Sequence, residues 1–271
     1  MLGLGTSRQL PSVTKNLLVI NVLIFVVMML SPLMDQKLTT YAALHYFTSP
    51  GFKSWQLVTY MFVHGGFGHL LCNMVALYFF GPVIERVLGR ERFLFFYLIC
   101  GVGAALVQEG VFAWLVNGYD VKYGSAAVAW VIDHSWSMFS NGSTSLSPDE
   151  LMEGVKYGVI SIGSGGYSYV PGVMELIGIA NTPTVGASGA IFGILGASAM
   201  LFPNARVYLY FAIPMKLKWL VIGYAVLELI QGVGGYATTV AHFAHLGGLL
   251  VAVLLVIYWK KKGFFNDKWF F

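Results

Sequence analysis

Six long apolar segments determine what this chain can fold into. They cover residues 17–34, 69–84, 93–114, 185–202, 219–231 and 240–259. The chain has 271 residues and is 57% hydrophobic but only 10% charged, whereas soluble domains carry about 25% charged residues. Apolar segments of this kind cross a bilayer as helices, because a helix satisfies its own backbone groups in lipid. We therefore predict an all-α polytopic membrane protein with six transmembrane helices in a single domain over residues 1–271.

Basic residues predict the orientation in the membrane, since lysine and arginine accumulate on the cytoplasmic side. If the amino terminus is inside, twelve of the sixteen fall on inside segments: Arg8, Lys15, Arg86, Arg90, Arg92, Arg206, Lys216, Lys218, Lys260, Lys261, Lys262 and Lys268. The other four fall outside: Lys37, Lys53, Lys122 and Lys156. We expect both termini in the cytoplasm of a bacterial cell, with the protein in its inner membrane. The net charge of +4 then indicates contact with membrane lipid, and we expect no nucleic-acid partner.

A long connection, residues 115–184, joins the third and fourth segments and is predicted to form an extracytoplasmic insertion. It contains two lysines against six acidic residues. The run Ser147-Pro148-Asp149-Glu150 is typical of a capping box that starts a short helix, which we expect to end near residue 160. Residues 162–169 are rich in glycine and serine and are predicted to be a loop. The insertion is either ordered decoration or a contact surface for a substrate or partner.

One serine stands out at the start of the fourth segment, in the run Gly186-Ala187-Ser188-Gly189-Ala190-Ile191-Phe192-Gly193. We place Ser188 about one turn into the helix, near its outer end. Gly189, Gly193 and Gly196 form a stripe of small residues that would let a neighbouring helix approach closely. The stripe alone is equally consistent with simple helix packing and an incidental serine.

A histidine in the sixth segment gives the serine a possible partner. His245 shares its helix face with Gly248 and Ala252, so its imidazole stands where another backbone can come close. An imidazole in hydrocarbon is costly and usually functional. Ser188 and His245 on two small-faced helices would form a nucleophile and its base, whereas His242 faces a bulkier side. Glu228, the only acid deep in the fifth segment, could orient a histidine, but a hydrogen bond between helices is the favoured prediction, so we expect a dyad without a third member.

The second segment begins with two further donors at one end. His69 and Asn73 are four residues apart and project from one helix face. An asparagine amide and an imidazole N–H can stabilise the oxyanion of acyl transfer, at about 3 kcal/mol per donor. If the chain lacked Ser188 and His245, we would interpret His69 and Asn73 as residues that only hold helices together.

These motifs together resemble the rhomboid family of intramembrane serine proteases. The resemblance covers Gly186-Ala187-Ser188-Gly189, Ala244-His245-Leu246-Gly247-Gly248 and the H-x4-H-x3-N spacing of His64, His69 and Asn73. It extends to residues 55–62 and 81–97. It implies a six-helix rhomboid-like bundle with Ser188 as nucleophile, His245 as general base, and His69, Asn73 and the Ser188 N–H as oxyanion donors. It implies no cofactor, and it implies single-span membrane proteins as substrates.

Two departures from the family and two other functions bear on this assignment. Phe192 replaces a common tyrosine, which leaves a ring able to stack on His245 without a phenol. The insertion is longer than in compact bacterial members, which affects substrate access more than the reaction.

A catalytically silent protein that binds membrane clients would not need the retained serine, histidine and asparagine. A small-solute transporter would show paired charges or interrupted helices in repeated halves, and the sequence shows neither. The oligomeric state is not predicted.

Overall fold

The computed structural model describes residues 9–141, 146–209, 213–234 and 241–265, and it is mainly helical. The helices in this part of the chain are α1 Ser12–Leu30, α2 Pro32–Ala42, α3 Gln56–Thr59, α4 Phe67–Leu88, α5 Arg90–Tyr123, α6 Ser125–Asn141, α7 Pro148–Lys156, α8 Val173–Asn181, α9 Ser188–Leu201, α10 Leu217–Gly234 and α11 His242–Lys261. Two antiparallel hairpins pair β1 Ile160–Gly163 with β2 Gly166–Tyr169, and β3 Arg206–Leu209 with β4 Ile213–Lys216.

The predicted membrane segments are mainly helical where the structure describes them, although α1 ends at Leu30 within the first segment and α9 begins only at Ser188 in the fourth. Among the described residues, α1, α4, α5, α10 and α11 are long and apolar enough to cross a membrane. Helix α9 is apolar but has only 14 residues, a length of about 21 Å at 1.5 Å per residue. It is therefore shorter than the roughly 30 Å hydrocarbon layer. The first residue of the predicted sixth segment, Val240, lies outside the described residues, as do Arg8 and Lys268.

The apolar core lies where α4, α5, α9 and α11 meet, with Leu77, Phe93, Phe96 and Ile194 fully enclosed. Helices α1 and α10 instead present most of their apolar side chains outward, and Val233 of α10 is 75% exposed. An outer surface of this kind is expected for helices that face lipid.

Two glycine faces bring α9 and α11 into backbone contact. A Cβ atom on Gly248 would overlap the carbonyl oxygen of Gly189, and one on Gly193 would lie 3.2 Å from the carbonyl oxygen of Gly248. Gly247 faces the opposite way, where an added Cβ would meet Val107 Cβ of α5 at 2.7 Å. The predicted small faces therefore pack as expected, with α11 held between α9 and α5.

Helix α1 is capped by a side chain from another helix. The residue before it, Pro11, offers no side-chain cap. Instead the buried carboxylate of Glu85 in α4 accepts hydrogen bonds from the Val13 and Thr14 N–H groups at 2.9 and 2.7 Å, and from the Thr14 hydroxyl at 2.7 Å. The first N–H groups of a helix lack intrahelical partners and carry partial positive charge. Glu85 thus satisfies the start of α1 and ties it to α4.

The insertion is a folded unit rather than a loop. The predicted third segment does not end at residue 114, because α5 continues to Tyr123 and buries Val116 in a second apolar cluster. That cluster also contains Val128 and Trp130 of α6 and Leu176 of α8. The predicted capping box at Ser147 is confirmed: the Glu150 N–H donates to Ser147 Oγ, and the Ser147 N–H donates to the Glu150 carboxylate.

The prediction of a loop over residues 162–169 was wrong. Those residues form most of the β1–β2 hairpin, in which Ile162 pairs with Tyr167 and Gly163 with Gly166. Isoleucine and tyrosine favour a pleated strand, and the glycine-rich stretch between them supplies the turn. The composition was interpreted as one loop because the strands are only four residues long.

Replacing Glu85 with alanine should destabilise the fold. The substitution leaves buried N–H donors at the start of α1 without an acceptor, at a cost of about 3 kcal/mol. Thermal unfolding in detergent should show a clear fall in Tm for Glu85→Ala. Arg86→Ala, which removes the exposed neighbouring charge, is the control and should melt close to the wild type. Equal melting temperatures for the two variants would contradict the capping role.

Gly248→Ala should separate α9 from α11. The added methyl group meets backbone atoms of Gly189 that have no freedom to move aside, so we expect a loss of about 2 kcal/mol or more from overpacking. Gly223→Ala in α10 is the matched control, since a Cβ there meets nothing within 4 Å. Its Tm should be unchanged or slightly raised, because alanine is the better helix former. A Gly248→Ala protein as stable as the Gly223→Ala protein would show that the contact is looser than described.

Candidate active site

The side chains of Ser188 and His245 are in hydrogen-bond contact. Ser188 Oγ lies 2.7 Å from His245 Nε2. This contact follows from the close packing of Gly189 against Gly248, because each glycine is one to three residues from its reactive neighbour. The sequence prediction that the two small-faced helices bring these groups together is therefore matched by the geometry.

Ser188 is the first residue of α9, not one turn inside it as predicted. The helix cannot extend back through Gly186, because the φ of that residue is +112°, outside the helical region. The Gly186 N–H donates to the carbonyl oxygen of Tyr60 at 2.9 Å, which fixes the chain just before the serine. The Ser188 N–H consequently belongs to the first turn, where N–H groups have no intrahelical acceptor.

His245 is held on two sides. Its ring stacks on Phe192 with centroids 4.4 Å apart and planes only 2° from parallel, so the predicted stacking is confirmed. At the start of α11 the Ala244 N–H donates to Gln108 Oε1 of α5 at 3.1 Å. Gln108 thus satisfies a donor in the first turn of the helix that carries the imidazole.

His69 and Asn73 lie beside the chain that leads into Ser188. A Cβ atom on Gly186 would stand 2.6 Å from His69 Nε2 and 3.5 Å from Asn73 Nδ2. The buried Nδ2 of Asn73 has no hydrogen-bond partner, and a buried donor without an acceptor is costly. An unsatisfied donor next to the first turn of α9 is suited to an oxyanion that forms only during a reaction.

His64 contacts His69 on this side of the site. It is buried, and its ring is edge-on to that of His69 with centroids 5.1 Å apart. Burial lowers the pKa of His64 to about 4, with the neighbouring His69 adding to the effect. The His64 ring is therefore neutral at neutral pH and adds no charge beside the donors.

Glu228 reaches the site, where its contacts fit both roles that the sequence allows for it, orienting a histidine and bonding between helices. Its Oε1 is 3.0 Å from His245 Nδ1, although that contact is not aligned as a hydrogen bond. Its Oε2 is hydrogen-bonded to Nδ1 of His242, so the expected bond between helices is also present. His242 is therefore connected to the site through Glu228 rather than set apart from it. Sequence reasoning missed the bond between Glu228 and His242, and it missed Gln108, since no spacing within one helix relates these residues to the site.

Comparison with known proteins identifies the family. A family model described as the Rhomboid domain matches residues 51–141 and 149–262. RHOMBOID-like protein 12, mitochondrial, from Arabidopsis thaliana is 28% identical over 201 residues, which make up 73% of this chain and 44% of that protein. The Putative rhomboid protease YdcA of Bacillus subtilis (strain 168) is 44% identical over 48 residues, 18% of this chain and 24% of that protein.

A further relative is the Rhomboid protease GluP of Bacillus subtilis (strain 168), which is 37% identical over 54 residues, 20% of this chain and 11% of that protein. The matches thus span less than two thirds of the length of each of these relatives. The family model, in contrast, covers well over half of this chain. The chain is an integral membrane protein that belongs to the rhomboid family.

Proposed function

We propose that this protein is an intramembrane serine endopeptidase in which Ser188 is the nucleophile and His245 the general base. The observation that carries the proposal is the 2.7 Å contact between Ser188 Oγ and His245 Nε2. Family membership supports a protease in general, since the names of the Bacillus relatives include the word protease. A nucleophile with its base in hydrogen-bond reach is the recurring arrangement of covalent hydrolases.

The reaction follows from this pair. Ser188 Oγ attacks the scissile carbonyl carbon while its proton passes to His245 Nε2. The tetrahedral intermediate collapses as His245 returns the proton to the leaving amine nitrogen, which breaks the peptide bond and leaves an acyl ester on Ser188. Water then attacks the ester while His245 accepts one of its protons, and the second tetrahedral intermediate collapses as His245 returns that proton to Ser188 Oγ, which releases the acid product and restores the enzyme.

The oxyanion of both intermediates needs donors that are fixed before it forms. The Ser188 N–H at the start of α9 contributes one, with the partial positive charge of the helix end behind it. His69 and Asn73 contribute the others from α4, beside Gly186. The free Nδ2 of Asn73 supports this role over a purely structural one, because a bond that held helices together would already have an acceptor.

The length of α9 favours a substrate bond within or near a membrane segment. A helix of 14 residues is too short to span the hydrocarbon layer, and we propose that the shortfall lies at its first residue, below the outer surface of that layer. Ser188 at its first residue is therefore reached most directly by the transmembrane segment of another protein, and we propose single-span membrane proteins as the substrate class. Both termini are proposed to face the cytoplasm of a bacterium, although organellar relatives also match.

A catalytically silent, client-binding protein is the second candidate. What favours it is that several relatives are named only as rhomboid-like, with no activity in the name. Against it stands the intact contact between a serine hydroxyl and an imidazole, which client binding does not require.

Ser188→Ala and His245→Ala should each abolish proteolysis, because each removes one partner of the proton transfer. Purified proteins would be assayed on a transmembrane substrate and with a fluorophosphonate that labels activated serines. Ser198→Ala is the matched control, since its buried hydroxyl only bonds to Ile194 O within the same helix. It should keep both activities, and peptide mapping should place the label on Ser188. Substantial cutting by Ser188→Ala would exclude the proposed nucleophile.

Asn73→Ala should slow turnover without eliminating it. The Ser188 N–H and His69 remain as donors, so we expect a kcat about 10²-fold lower, near the bottom of the range for a lost oxyanion donor, with little change in KM. Steady-state kinetics in detergent or vesicles measure the split between the two constants. An unchanged kcat together with a lower Tm would instead assign Asn73 to helix packing.

A further inference from the structure

Glu228 is placed unlike its neighbours on α10. The residues around it face outward, with Leu227, Leu229 and Ile230 all at least half exposed. Glu228 itself is buried and faces α11. Tyr224, one turn earlier on the same face, has its ring edge-on to Phe192 with centroids 6.1 Å apart. Phe192 in turn stacks on His245, so this face of α10 is directed at the imidazole.

Each oxygen of the Glu228 carboxylate faces one imidazole. Oε1 lies 3.0 Å from Nδ1 of His245, and Oε2 is hydrogen-bonded to Nδ1 of His242. A carboxylate in a membrane interior is expensive and is retained when it is paired or functional. The better-aligned hydrogen bond is the one to His242. Oε1 has no such bond, so it can interact more strongly with the His245 ring when that ring gains a positive charge.

We propose that Glu228 is the positioning residue for His245, with His242 holding the carboxylate in place. This inference rests on the proposed roles of Ser188 and His245. When His245 Nε2 accepts the proton of Ser188, the ring becomes a cation whose Nδ1–H is beside a carboxylate oxygen. Before that step, the same oxygen favours the tautomer with the proton on Nδ1, which is the one that leaves Nε2 free to accept.

The competing explanation is that Glu228 only fastens α10 to α11. Both helices do meet there, since a Cβ on Gly232 would lie 3.0 Å from the ring of Phe243. A fastening role would act on stability and on substrate binding. A positioning role acts on the activation of Ser188, and it is therefore visible in kcat and in the rate of covalent labelling.

The test compares Glu228→Gln with the wild type on a transmembrane substrate and with a fluorophosphonate. Glutamine keeps the size and a hydrogen-bonding group but removes the charge. We expect kcat and kinact/KI to fall about 10- to 100-fold, less than the roughly 10⁴-fold seen when the aligned carboxylate of a soluble serine protease triad is made neutral. KM and Tm should change little. Gln231→Ala, an exposed amide on the same helix, is the control and should behave as the wild type.

Two more variants keep the test decisive. In Glu228→Asp the charge remains at a shorter reach, so it should recover part of the lost kcat, and it decides the matter if Glu228→Gln does not melt cooperatively. In His242→Ala the loss should be smaller than in Glu228→Gln, and the double variant should be no slower than Glu228→Gln alone, because both act through one carboxylate.

The outcomes separate this inference from the proposed function. Full kcat in a folded Glu228→Gln protein with Ser188 still labelled, or a Glu228→Asp protein no faster than Glu228→Gln, would overturn the role of Glu228 and leave the protease intact. A fall in Tm with no fall in kinact/KI would do the same in favour of fastening. If the wild type is neither labelled at Ser188 nor active, the proposed function itself has failed.

Discussion

The site depends on one backbone contact, that between Gly189 in α9 and Gly248 in α11. In lipid there is no hydrophobic force to drive helices together, so their association depends on van der Waals packing and interhelical hydrogen bonds. Glycine at both positions lets the backbones touch, since a single Cβ on Gly248 would overlap Gly189. The side chains of Ser188 and His245 are short. Ser188 Oγ and His245 Nε2 lie 2.7 Å apart only because the two helices are this close.

Three polar side chains complete helix ends or faces that the backbone leaves unsatisfied. Glu85 accepts the first donors of α1, Gln108 accepts a donor at the start of α11, and Glu228 lies between two imidazoles of α11. Each comes from a different helix than the one it serves, so each also fixes how two helices are placed relative to one another. These polar side chains in otherwise apolar helices therefore fix how neighbouring helices pack. Two of them, Gln108 and Glu228, lie next to His245.

Structural features that depend on a single helix could be predicted from the sequence. The apolar segments, the small faces of Gly189 and Gly248 and the capping box at Ser147 each follow from local spacing. Partners on different helices were harder: the contact of Glu228 with His245 depends on how α10 is rotated, which no spacing within one helix reveals. Likewise α6 packs into the second apolar cluster, and tertiary packing of that kind has no short-range signature.

The backbone segment just before Ser188 connects the insertion to the candidate active site. Thr184 pairs with Leu44 through two backbone hydrogen bonds of 3.0 and 2.8 Å, and Gly186 bonds to Tyr60 two residues later. The segment after Leu44 lies against α6, where Trp136 packs over Gly51 and stands edge-on to His45 at 4.9 Å. The insertion therefore touches the same segment that positions the start of α9. The groups that we propose to handle the proton, Ser188 and His245, come instead from α9 and α11, with Glu228 of α10 beside them.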